Sequence, residues 1–160
     1  MKQITENPKV ISRSIDLFLK KDPSFREEDS VKLIEGISEK PIHKLDGKIV
    51  DPKKISFSTL MQTEVSGASG WHRFEDAFDQ QFTSTKFSGD GHVDKALNEA
   101  FEGGQNDFGN VFGDKIRSVS VGDVFSVQEW GEDGHGLGLR FFLVANVGFD
   151  EFKRATGVFL

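Results

Sequence analysis

Apolar and polar residues alternate along this chain in short blocks with two different periods. Residues 8–21, PKVISRSIDLFLKK, place Val10, Ile11, Ile15, Phe18 and Leu19 at spacings that fit one helical face, behind Asn7 as a cap and Pro8 in the first turn. That pattern predicts an amphipathic helix. Asp22-Pro23 ends it, since the residue before a proline is driven out of the helical region. A second helix is expected to start at Ser24 or Asp29, with Val31, Leu33, Ile34 and Ile37 on its apolar side and Gly36 near its end. Leu45 faces Ile49 and Val50 across Asp46-Gly47, a dipeptide that tolerates the positive φ of a tight hairpin turn. Residues 56–65, SFSTLMQTEV, read as a strand, and Ser66-Gly67-Ala68-Ser69-Gly70 as a flexible loop.

From Trp71 the pattern returns to a helical period. Trp71, Phe74, Phe78 and Phe82 fall on one stripe, which the core is expected to cover. His92 to Gly104 carries Val93, Ala96, Leu97, Ala100 and Phe101 at helical spacing with glycine beyond the end. The glycine-rich stretch after it keeps Phe108, Val111 and Phe112 as anchors and reads as an ordered loop. Residues 116–130 alternate through Val119, Val121, Phe125 and Val127 with a break at Gly122-Asp123. Residues 139–147 run continuously apolar around Phe141 to Ala145, as a strand buried on both faces does, with GEDGHGLG as the hairpin between the two. The expected fold is therefore α+β: N-terminal helices plus a small, mostly antiparallel sheet that ends in a C-terminal β-meander. Residues 1–160 read as a single domain, with 1–40 as a helical N-terminal extension.

Composition narrows the chemistry. The chain has 16 Phe and 2 Trp but no Tyr, so its aromatic surface lacks polar handles and belongs in a core. With no Cys there is no disulfide, no thiolate nucleophile and no Cys-ligated metal. No apolar stretch follows the first lysine, so neither a signal peptide nor a membrane span is expected, and the cytoplasm is the expected location. Charge is uneven: residues 1–55 hold 12 Lys/Arg against 10 Asp/Glu, and residues 56–160 hold 8 against 16. The acidic portion repels a phosphate backbone and suits solubility or a basic partner.

Motifs for catalysis are missing from the sequence. His43, His72, His92 and His135 lie in separate segments with no second ligand at metal-site spacing, so no metal is expected. SGDGHVD and GEDGHG lack the ligand alternation of a calcium loop and read as turns. The glycine-rich stretch lacks the Lys-Ser/Thr of a phosphate loop, no Ser sits in a nucleophile elbow, and no cofactor is expected. Adjacent carboxylates such as Glu75-Asp76 do not by themselves make an acid/base pair.

Residues 97–149 combine a short helix, a polar loop, the run Arg117-Ser118-x-Ser120-Val121-Gly122-Asp123-Val124, and an apolar strand ending in Gly148-Phe149. In this the segment resembles the YodL-like small accessory domains encoded by phages, plasmids and conjugative elements. The resemblance covers about a third of the chain and implies a setting, not a reaction. Gly122 suits a tight bend and Asp123 can accept backbone N–H bonds there; alternatively Arg117, Ser118, Ser120 and Asp123 form a polar corner facing a ligand or partner. The expected function is a non-enzymatic accessory protein that binds a host or phage protein through its acidic C-terminal portion. The alternative is a nucleic-acid-binding module with a PUA-like β-barrel, in which Lys44, Lys48, Lys53 and Lys54, with Lys20, Lys21, Lys32 and Lys40, face phosphates.

Overall fold

A computed structural model describes residues 9–37 and 41–160. Asn7 and Pro8, the expected helix start, and Lys40 lie outside the described residues. The segment Ser12–Lys20 is a strand, β1, and not the helix that its three-and-four spacing predicts. The same residues also carry a period of two, in which Arg13, Ile15, Leu17 and Leu19 alternate with Ser12, Ser14 and Asp16. Non-local pairing selects that second pattern: β1 is an inner strand with partners on both sides. The expected helical N-terminal extension is therefore corrected over these residues, and the helix that follows is α1, Glu27–Glu35. The Asp29 carboxylate caps α1 by accepting from the Arg26 backbone N–H at 2.8 Å. Ile34 and Ile37 are buried as expected.

The hairpin at Asp46-Gly47 forms between β2, Pro41–Leu45, and β3, Lys48–Val50, with both turn residues at positive φ. The strand expected over 56–65 is corrected in part. Ser56 accepts from the Thr59 N–H and caps a short helix, α2, Phe57–Leu60, so that the strand β4 begins only at Glu64 and runs to Ala68. The expected loop at 66–70 instead closes β4 and opens α3, Ser69–Ala77. The helix expected to reach Phe82 stops at Ala77, because Phe78–Gln81 pairs with Leu17–Lys20 as strand β5. Phe82 consequently leaves the stripe and is 70% exposed. Lys86–Ser88 forms β6, Val93–Gly103 forms α4, and Asn106–Phe108 makes a single 3-10 turn.

The final segment holds β7, Val124–Trp130; β8, Gly136–Val144; and β9, Phe149–Phe152. These three make the expected antiparallel meander. The strand expected before Gly122 does not form: residues 117–120 are irregular and the turn lies at Val121-Gly122, with Val119 buried but unpaired in any ladder. The main sheet is six-stranded in the order β5-β1-β7-β8-β9, with β6 pairing the other half of β1, and the three-stranded sheet β3-β2-β4 stands apart. Among the described residues neither sheet closes on itself, and helices on each face hold the main sheet as a layer.

Alternation along the strands defines those layers. Ile15, Leu17, Phe125, Val127, Phe142 and Val144 share one face and pack on Val93, Ala96, Leu97 and Ala100 of α4. Phe18, Val124, Phe141, Leu143 and Phe152 share the other and pack on α1 and α3. There Phe74 is stacked between Trp71 and Phe78, with ring centroids 4.4 and 4.5 Å away. Among the described residues, no helix is long and apolar enough to cross a membrane.

Two predictions follow from this packing. Phe74→Ala removes a fully buried ring from the middle of a stack and is expected to lower unfolding free energy by about 3–5 kcal/mol in urea titration. Asp16 lies on the inner strand opposite Ser126, and burial pushes its carboxyl above the ordinary range against weaker help from Thr83 and Gln80. Its contribution to stability is therefore full at acid pH and is lost as pH rises through the raised folded-state value. Asp16→Asn is expected to flatten that decline in denaturation curves recorded between pH 4 and 7; an unchanged slope would assign the decline to other groups.

Candidate functional site

Of the four polar residues of the Arg-Ser-x-Ser-Val-Gly-Asp run, Arg117 and Ser120 converge on the carboxylate of Asp123, and the Ser118 hydroxyl turns away from it. Asp123 is completely buried at the start of β7. Its Oδ1 accepts from Arg117 Nη2 at 2.7 Å and from the Lys20 backbone N–H at 2.9 Å. Its Oδ2 accepts from Arg117 Nη1 and from the Ser120 N–H, each at 2.8 Å. A carboxylate has about four lone-pair positions, so this one is filled. Arg117 also donates to the Lys20 and Ser118 carbonyls and to Ser120 Oγ, and the carboxylate beside it holds its guanidinium protonated still more firmly than usual. Ser118 Oγ accepts from the Asn106 N–H at 2.9 Å.

Around this pair the chain turns sharply at Gly122, φ 93°. The Gly122 N–H donates to the Val144 carbonyl and its own carbonyl accepts from Ser30 Oγ of α1. Lys20 Nζ donates to the Phe25 and Val121 carbonyls, so this lysine is engaged inside the fold and not on a phosphate-facing surface. The corner thus joins β1, α1, β7 and β8 by groups that have little left to offer a ligand. Its chemistry is that of a lock.

The lysines tell a different story. Lys44, Lys48, Lys53 and Lys54 all lie on the separate unit built from β2, β3, α2 and the start of β4. Lys44 stands directly opposite Ile49 and Glu64, and Lys48 adjoins Ile49 in the chain. Lys53 and Lys54 sit in a turn closed by Asp51, whose carboxylate and carbonyl accept their N–H groups. No residue from 41 to 65 is buried, although the segment carries a full complement of apolar side chains. Ile49 is 74% exposed, Phe57 77%, Met61 72% and Val65 58%. The hairpin and strand pattern of these residues does not show that exposure, and the lysines interleaved with them are the accompanying feature of the sequence.

The histidines stay apart. His43 Nδ1 is 3.0 Å from Thr63 Oγ1, His92 caps α4, and His135 Nδ1 lies 2.6 Å from Asp133 Oδ2, which it holds below the usual carboxylate range. Of the two glycine-aspartate loops, residues 131–135 form a turn and residues 89–92 a bend. Among the described residues no three His, Asp or Glu side chains come together as metal ligands.

If the Asp123 corner serves the fold, Asp123→Ala is expected to cost about 3 kcal/mol in urea titration, since it strands a part-buried guanidinium. Ser118→Ala should then cost no more than about 1 kcal/mol. Equal stability of Asp123→Ala and the unaltered protein would reassign the corner to ligand binding. No family model matches this chain, and no curated protein and no solved structure was found to match it.

Proposed function

We propose that this chain is a non-enzymatic binding protein that docks on another protein through the unit spanning residues 41–65. The observation that carries the reading is the absence of any buried residue in that unit. A three-stranded sheet gains independent stability only when one of its faces is packed. Here neither face is: Ile49 projects on one side and Val65 on the other, each beside further half-buried apolar positions. A partner that covers these side chains completes a core the chain leaves open.

Charge points to the partner's character. Of the chain's 20 basic and 26 acidic residues, residues 41–65 hold four and three, leaving 16 against 23 elsewhere. The lysines therefore mark the docking unit as locally positive on an acidic protein. A complementary surface is apolar at its centre and carboxylate-bearing at its rim. Nucleic acid uses the lysines but has no use for Ile49, Met61 and Val65, and it is repelled by the remaining net −7. In the setting that the resemblance of residues 97–149 implies, the partner is a host or phage protein and this chain is an accessory to it.

Ile49→Asp with Met61→Asp is expected to leave the denaturation midpoint nearly unchanged, because both side chains are already in water. The same double variant should lose, by at least about a hundredfold, the partner that tagged protein retains from nuclease-treated bacterial lysate. Hydrogen exchange supplies the direct measure: amides of residues 41–65 should be poorly protected alone and protected when that purified partner is added. Recovery that nuclease abolishes would move the function to nucleic acid, and protection that grows with protein concentration alone would make the partner a second copy.

A further inference from the structure

Where α4 begins, it leaves one end of the sheet face beneath it uncovered, and the residues of that face change from apolar to charged. Ile15, Val127 and Phe142 give way to Arg13 on β1, Glu129 on β7 and Arg140 on β8, with Glu151 of β9 opposite Phe142. A cleft of about 650 Å³ opens over this row. Its walls are the Gly89–Val93 approach to α4, the Lys9-Val10 segment entering β1, and Leu137 on β8. That volume is the size of a metabolite site.

The floor is rigidly held. Arg13 is only 4% exposed. Its Nε donates to Glu129 Oε2 at 2.9 Å, Nη1 to the Ser88 carbonyl at 2.8 Å, and Nη2 to the Gly91 carbonyl at 3.3 Å. These bonds draw the glycine loop onto β1, where Gly89 meets the Ile11 backbone so closely that no Cβ would fit. Arg140 is oriented by two parallel bonds to Glu151, at 2.8 and 2.9 Å, and by a third from Nη1 to Glu129 Oε1 at 3.3 Å. Its guanidinium lies over the Phe142 ring, 5.1 Å from the centroid. Both neighbouring carboxylates reinforce its charge.

A guanidinium has five N–H groups. Arg140 uses three within the protein and is a third exposed, so it keeps two N–H groups on a fixed plane at the cleft floor. The carboxylates bonded to it, Glu129 and Glu151, are already engaged. Lys9, Arg13 and Arg140 are balanced by Asp90, Glu129 and, behind Arg140, Glu151, so it is the unused Arg140 N–H groups and not a net charge that mark a place for an anion. Val10, Val93 and Leu137 supply an apolar wall. We propose that this cleft binds a small organic anion, a carboxylate or a phosphate, on the free edge of Arg140, with the anion's short apolar portion against Val10, Val93 and Leu137. The site is separate from the protein-docking unit and does not depend on that reading.

The test is an amide-shift titration of the full chain with butyrate, with inorganic phosphate, and with butylammonium and chloride at matched ionic strength. Saturable shifts confined to Gly89–Val93, Glu129 and Leu137 are expected with butyrate or phosphate, and the stronger of the two names the headgroup. Arg140→Lys, which keeps the charge but not the planar donor pair, should weaken binding about tenfold. Should that variant unfold, Leu137→Glu sets a carboxylate in the wall at a part-exposed position and should abolish binding with the fold intact. The proposal is overturned by unsaturable shifts, by shifts that chloride reproduces, by undiminished binding in folded Arg140→Lys, or by undiminished binding in Leu137→Glu.

Discussion

A carboxylate withdrawn from water must be matched donor for donor, and Asp123 is matched by N–H groups from the end of β1, from the Ser120 backbone and from Arg117. That requirement sets the geometry of everything nearby. It fixes the turn at Gly122, and the turn delivers the Gly122 carbonyl to Ser30 on α1 and the Gly122 N–H to Val144 at the end of β8. The two hydrophobic cores flank β1 and β7 at this point: Leu17 and Phe125 face α4 while Phe18 and Val124 face α1 and α3. The lock thus sets the register of the strands that separate the cores, and neither core can shift along the sheet without breaking it.

How much of this was legible in the sequence varied with how local the deciding interaction is. The Asp46-Gly47 hairpin, the α4 helix and the β7-β8-β9 meander were all readable, because turn chemistry, helical spacing and a doubly buried apolar run act within a few residues. Ser12–Lys20 was not, since its residues satisfy a helical period and a strand period at once. The choice between them is made by pairing with β7, more than a hundred residues away. Phe82 failed for a similar reason. Its spacing from Phe78 is helical, but Phe78 already belongs to the strand that completes β1.

The site residues divide in the same way. The Arg117–Asp123 run is visible in the sequence as a motif that reads as a turn or as a ligand corner, but the number of donors that Asp123 accepts is not. The lysines of residues 44–54 were visible as charge, but the exposure of Ile49, Phe57, Met61 and Val65 was not, because hydrophobicity alone says what should be buried and not what buries it. Arg13 was invisible altogether. It lies within a segment whose spacing reads as an amphipathic helix, and only its alternation with Ile15 and Leu17 places it under the glycine loop beside Glu129.

These two surfaces represent opposite arrangements of the same materials. At the cleft, charged groups are held in place by other protein groups, so that little ordering remains to be done when a small anion arrives and a few N–H groups suffice for recognition. On residues 41–65 the apolar groups have no support from behind, and their order is coupled to what covers them. An interface of that kind gains its free energy from burial over a wide area and tolerates imprecise placement of any one group. A rigid polar floor suits a ligand too small to reshape its site, and an open apolar sheet suits one large enough to complete it. The division follows from where the chain places its packing: α1, α3 and α4 all cover the main sheet, and among the described residues no helix with a buried face is left to cover the second.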